Sequence, residues 1–314
     1  MFASGGFFKW GPLLKYFYMF VFLALTAAYL GLTLLPSPDA RVLHQYHLTQ
    51  ASYRGLLYPA IILLVASWVF TMVASVMTKN YSAVIKDSED GKSFNLLAWG
   101  FMVLALAQPI GGVMSNGLSH IEKHVPDSIP ALTIVTNYYN IAWLAVTFIL
   151  VAWGVQRLYS LARIKTEPVG RDIWTIGFIA ISAAYSYFII IEPLHTPLAR
   201  RAYFLPNWLL IATIAVPYLI LWYTGSRAAY KLYLYQRHIR GRLYKQALNY
   251  LAAGVIVVVV SSILTRIITS ISNSLSRLSL TPLLIVVYAL IATSAAGFIL
   301  IAIGASKLKK IEEA

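Results

Sequence analysis

Apolar residues in this chain run in long uninterrupted blocks, without the in-out alternation of membrane barrel strands. A helix needs roughly 20 apolar residues to cross the hydrocarbon core of a bilayer, and eight blocks approach or exceed that length. They run from about Leu13 to Leu35, Leu56 to Met77, Leu96 to Leu118, Ala131 to Val155, Ile173 to Ile191, Leu205 to Tyr223, Ala247 to Ile271 and Pro282 to Ala305. Lipid offers no partner for a backbone N–H or C=O, so each block must satisfy its own hydrogen bonds as a helix. The pattern predicts an all-α integral membrane protein with eight transmembrane helices and nothing of domain size between them. The first block is too long for a signal peptide and no convincing small-x-small site follows it.

Composition agrees: 59% of residues are hydrophobic and 11% charged, against about a quarter charged in soluble proteins. The chain has no cysteine, which removes thiolate metal sites, Fe–S clusters, disulfides and thiol catalysis.

The pattern is also written twice. Phe148 to Leu158 (FILVAWGVQRL) returns as Phe298 to Leu308 (FILIAIGASKL), and Phe22 to Tyr29 (FLALTAAY) as Phe178 to Tyr185 (FIAISAAY). Tyr81 to Gly100 aligns without a gap to Tyr235 to Gly254, matching Tyr81 with Tyr235, Asn95 with Asn249 and Gly100 with Gly254. Apolar helices share Leu, Ile and Ala by chance, but not Gly, Tyr, Asn and basic positions in register. The sequence therefore predicts two tandem four-helix repeats, residues 1–165 and 166–314. Four spans per half is an even number, so the halves enter with the same orientation, related by a pseudo-twofold along the membrane normal.

The net charge of +14 has no soluble basic domain to carry it, so nucleic acid is not an expected partner. Membrane topology accounts for it: 18 Lys and Arg fall on one side of the spans and 6 on the other, with Arg266 inside a span. The richer side is expected to be cytoplasmic, with both termini there, in a multi-pass protein of the cell membrane. The connection around Lys86 to Lys92 is mixed in sign, whereas its counterpart from Arg240 to Gln246 is purely basic. The wider strip Arg227 to Lys245, rich in tyrosine, suits anionic lipid headgroups, although the positive-inside pattern alone also produces such a strip.

Intramembrane chemistry would show as Asp, Glu, His or Lys at mid-span, and apart from Lys15 at the very start of the first block the predicted spans hold only Arg266 as a clear charge. Arg266 pairs with Glu192 or an outer headgroup on one reading and binds an anion on the other. Five of six histidines fall on the outer side: His44, His47, His120, His124 and His195. His120 and His124 in HIEKH would share a helix face, as would His44 and His47 on one turn, which are spacings that zinc, copper or haem iron can use. Pro38, Pro126 and Pro130 argue against extended helix around them. Interfacial histidines without a ligand are the plainer reading.

Gln108-Pro109-Ile110-Gly111-Gly112 should break and kink the third helix. Its counterpart in the second half is Ser262 to Arg266, which marks Gln108, Pro109 and Arg266 as candidate lining of a cavity at the seam. Glu192, Asn137, Tyr138, Asn140, Tyr185, Tyr187 and Asn207 are candidates for its outer end. Small residues and kinks that serve only helix packing are the competing account.

The expected function is that of a non-enzymatic polytopic membrane protein binding a small molecule, lipid or partner protein, as a sensor, permease or complex subunit. No G-x-x-x-x-G-K-[ST] loop is present. The alternative is a metal- or haem-dependent membrane oxidoreductase or hydrolase built on the outer histidines. The plan of eight helices in two halves with outer histidines is similar to that of haem A synthases, which would imply haem as cofactor. No paired histidines occupy matching positions of the two halves.

Overall fold

The structure is a computed structural model and describes residues 11–34, 50–124, 129–161, 207–239, 241–274 and 280–313. Among them there are seven α-helices: α1 (Pro12–Leu34), α2 (Gln50–Val84), α3 (Glu89–His124), α4 (Ile129–Leu161), α5 (Asn207–Arg237), α6 (Arg242–Ser274) and α7 (Leu280–Glu313). Six of them contain a stretch long and apolar enough to cross a membrane. The chain is an all-α, multi-pass membrane protein. The predicted span from Ile173 to Ile191 lies outside the described residues.

Helix formation here follows from solvent more than from propensity. The run Gly254-Val255-Ile256-Val257-Val258-Val259-Val260 favours strands in water, yet it is helical within α6, since only a helix closes its own backbone hydrogen bonds in lipid. Helices α2 to α7 are 31 to 36 residues long, or roughly 46 to 54 Å at 1.5 Å per residue. They outrun the roughly 30 Å hydrocarbon core and continue into the headgroup layers.

Two expectations are corrected. The proline and glycine pair does not break the third helix, because α3 runs unbroken across Pro109. Pro109 is buried, and two residues before it the Ala107 carbonyl accepts from the Tyr139 hydroxyl at 3.1 Å, which fastens α4 to this stretch of α3. The chain around HIEKH is helical as well: α3 extends to His124, and Pro130 lies in the first turn of α4.

Six helices close a ring. α2 packs on α3, α3 on α4, α4 on α5, α5 on α6, α6 on α7, and α7 returns to α2, while α1 lies outside, chiefly against α3. One apolar core cluster joins all six, from Tyr81 and Leu97 through Phe148 and Leu232 to Leu251 and Phe298. A second cluster fastens α1 through Tyr18, Phe22 and Tyr29 to Trp68, Met72 and Met102.

Close helix approach is set by glycine at aligned positions. A Cβ on Gly154 would meet the Ser93 carbonyl at 2.7 Å and Leu97 Cγ at 3.0 Å; one on Gly304 would meet the Ala247 carbonyl and Leu251 Cγ, both at 2.8 Å. Gly100 approaches Thr147 and Val151, and Gly254 approaches Gly297 and Ile301. Each pair joins residues that the repeated blocks place in register, so α3 with α4 and α6 with α7 make the same contacts.

Helix α2 carries a buried row of small polar residues, Ser67, Thr71, Ser75, Thr78 and Ser82. Thr71, Ser75, Thr78 and Ser82 donate to carbonyls three or four residues back. This satisfies their hydroxyls internally and leaves a slim face that neighbours can approach. Tyr18 of α1 uses that face, its hydroxyl 2.8 Å from Ser75 Oγ.

Candidate functional site

The described residues of the ring pack closely at the end that carries the α2–α3 and α5–α6 turns. Tyr81, fully buried, stands edge-on to Phe94 with ring centroids 4.7 Å apart, and its hydroxyl meets that of Tyr244 at 3.1 Å. Burial, with Tyr244 and Asp90 close by, pushes the Tyr235 phenol above its ordinary range. Lys231 of α5 donates to Gln156 Oε1 of α4 across the adjoining wall. At the surface Glu89 accepts from both Lys92 and Arg157.

Lys79 is buried near the same end. Its ammonium donates to Asn95 Oδ1 and lies 4.9 Å from the Trp99 ring centroid. A helix end that carries a lysine inward needs such acceptors and a π face to replace water. Sequence reading placed this residue in the surface connection because the apolar run ends at Met77.

Among the described residues, Gln108 Oε1 and Thr147 Oγ1, farther along the helices, and Gln236 Oε1, beside Tyr235 at the turn end, are buried without a hydrogen-bond partner. Leaving such an atom unmade costs about 1–3 kcal/mol. One turn beyond Gln108, a Cβ on Gly112 would strike Tyr29 at 2.7 Å and Trp68 at 2.8 Å. Tyr29 and Trp68 themselves pack with centroids 4.7 Å apart. Gly112 is therefore where α1, α2 and α3 converge.

Past that junction α1 parts from α2 and leaves an open groove of about 580 Å³. Leu30 and Leu34 line one wall, and Tyr58, Ile62, Val65 and Phe70 are among those lining the other. Among the described residues no charged side chain lines it. Ile62 is 70% exposed, well above what interior packing leaves.

The predicted site residues fare unequally. Pro109 and Gln108 lie on α3 next to Ala107, whose carbonyl Tyr139 of α4 reaches. His120 and His124 lie four apart on α3, and Asn137, Tyr138 and Arg266 lie on α4 and α6, with side chains outside the described set. His44, His47 and Glu192 lie outside the described residues altogether, as do Tyr185 and Tyr187. Among the described residues no group of three His, Cys, Asp or Glu side chains is placed to hold a metal. The groove was missed because lipid-facing and ligand-facing apolar residues look alike in sequence.

A closely packed apolar ring with an apolar groove on its rim defines a class, the polytopic all-α membrane protein. Comparison with known proteins adds no closer identity: no family model, no curated protein and no solved structure matches the chain.

Proposed function

We propose that this is a non-enzymatic membrane protein that binds an amphiphile, a lipid or lipid-like small molecule, at the perimeter of a duplicated helical scaffold. The observation that carries this reading is the open apolar groove between α1 and α2, set against a ring whose interior is filled by a continuous core. A permease working between the halves needs a cavity at the seam, and among the described residues the seam carries the buried Tyr81 in contact with Tyr244.

The scaffold we propose is eight transmembrane helices in two tandem repeats, 1–165 and 166–314, with both termini cytoplasmic in the cell membrane. Supporting the duplication are the register-matched glycine contacts and the order of the ring, in which α4 meets α5 as α7 meets α2. The basic strip from Arg227 to Lys245 would then lie among anionic cytoplasmic headgroups, with exposed Arg237, Arg242 and Lys245 at the α5–α6 turn. A protein partner in the membrane would add to this scaffold.

Native mass spectrometry of the detergent-purified protein tests the reading. Bound lipid that survives collisional removal of detergent is expected, as is a higher melting temperature when lipid is added to stripped protein. A stripped protein that binds no lipid and melts unchanged would overturn it.

The metal or haem enzyme is kept as a second reading on one observation, that α3 continues through His120 and His124 and so holds them one turn apart. Elemental analysis of the wild type beside a His120→Ala, His124→Ala double variant decides it: stoichiometric iron, copper or zinc lost in the variant would establish the site.

A further inference from the structure

We infer that the α1–α2 groove seats one acyl chain of an anionic phospholipid, whose phosphate is held by Arg54. The inference rests on the proposed lipid-binding function and names its ligand. Three features of the groove select this occupant over others.

The first is length. Along α2 the lining runs from Tyr58 to Phe70, which is about 18 Å of helix at 1.5 Å per residue. One leaflet of the hydrocarbon core is about half of the roughly 30 Å total, so the groove accommodates a chain entering from one interface and stopping near the midplane. A partner transmembrane helix would need a face along the whole span, and below the groove α1 lies against α2, with the Tyr18 hydroxyl on Ser75.

The second is chemistry within the groove. Leu30, Leu34, Ile62, Val65 and Phe70 present only hydrocarbon, and Ile62 and Phe70 are exposed at 70% and 36%. Tyr58, at the mouth, is amphipathic and exposed at 41%, the usual station of a tyrosine at the headgroup boundary.

The third is charge at the mouth. Arg54 is exposed and precedes Tyr58 by four residues in the same helix, so it stands on the groove face one turn nearer the aqueous phase. A planar guanidinium there is suited to a phosphate diester. The geometry of α1 supplies the opening: Gly112 admits Tyr29 and Trp68 together, which holds α1 over α3 and leaves Leu30 and Leu34 apart from α2.

The test uses the full chain in nanodiscs of phosphatidylglycerol and phosphatidylcholine, with retained lipid read by native mass spectrometry. Ile62→Trp, at an exposed position, and Ala66→Trp both fill the groove and should lower occupancy of the tightest lipid about tenfold, a loss of about 1.4 kcal/mol. Arg54→Gln should keep a bound lipid but lose the preference for phosphatidylglycerol about fivefold. Melting curves confirm that each variant is folded. If the wild type retains lipid and both groove-filling variants retain it equally, this inference fails while the general reading stands. If the wild type retains none, both fail. Headgroup preference unchanged in Arg54→Gln refutes the phosphate assignment, and a copurifying polypeptide displaced by Ile62→Trp would replace the lipid with a partner helix.

Discussion

The hydroxyls of Tyr81 and Tyr244 meet at 3.1 Å between helices that belong to opposite halves of the chain. In the aligned blocks Tyr81 corresponds to Tyr235 and Tyr244 to Asp90, and Asp90 lies close enough to Tyr235 to act on its ionisation. The aligned positions thus meet across the ring in one place as a pair of phenols and lie near each other in the other as a phenol and a carboxylate. Tyr81→Phe and Tyr244→Phe should each cost about 0.5–1.5 kcal/mol. Because they remove one shared contact, the double variant should cost little more than either, which a double-mutant cycle on detergent-phase unfolding would measure.

The aligned glycines predict a matched pair of defects. Gly154→Ala and Gly304→Ala place a methyl within 2.7 to 2.8 Å of a backbone carbonyl on the facing helix, which should cost about 1–3 kcal/mol each through overpacking. Gly55→Ala on α2 meets nothing within 4 Å and should gain about 0.5–1 kcal/mol from helix propensity alone. Thermal midpoints of the three variants compared with wild type check the contrast.

Buried Lys79 predicts an asymmetry between its own removal and that of its acceptor. Asn95→Leu takes an acceptor from a buried ammonium and should destabilise by about 1–3 kcal/mol. Adding Lys79→Met to Asn95→Leu should recover part of that loss, since an apolar pair no longer leaves a charge short of partners. Equal or greater loss in the double variant would contradict this account.

The cysteine-free chain makes orientation directly measurable. Asp87→Cys and Gly241→Cys, at exposed positions of the α2–α3 and α5–α6 turns, should label together with a membrane-impermeant maleimide, and only when the cytoplasmic face is open. Labelling of one turn from each side would rule out parallel repeats.

The sequence made the spans legible because hydropathy reports contact with lipid, and the apolar blocks of α2, α3, α4, α6 and α7 lie inside the observed helices. It misjudged the helix ends for the same reason. A helix continues through polar residues such as Lys79 and His124 after the hydrocarbon has stopped, where hydropathy falls but backbone hydrogen bonds persist. Pro109 read as a break because its missing N–H was counted, whereas the surrounding lipid and packed helices keep the rest of the segment helical despite that one lost bond. The glycines at 100, 154, 254 and 304 stood out as repeated letters, whereas their facing carbonyls required three dimensions. The groove was illegible because its residues differ from their lipid-facing neighbours only in what α1 leaves uncovered.

Ring closure by α7 against α2 has a consequence for assembly. If the halves are copies, the edge that α4 offers to α5 is complementary to the edge that α2 offers to α7, and both edges exist on a single half. An isolated half is therefore adhesive to itself, and two identical chains would close the same ring that one chain closes now. On that condition residues 1–165 expressed alone should form a symmetric dimer, which cross-linking in detergent would detect.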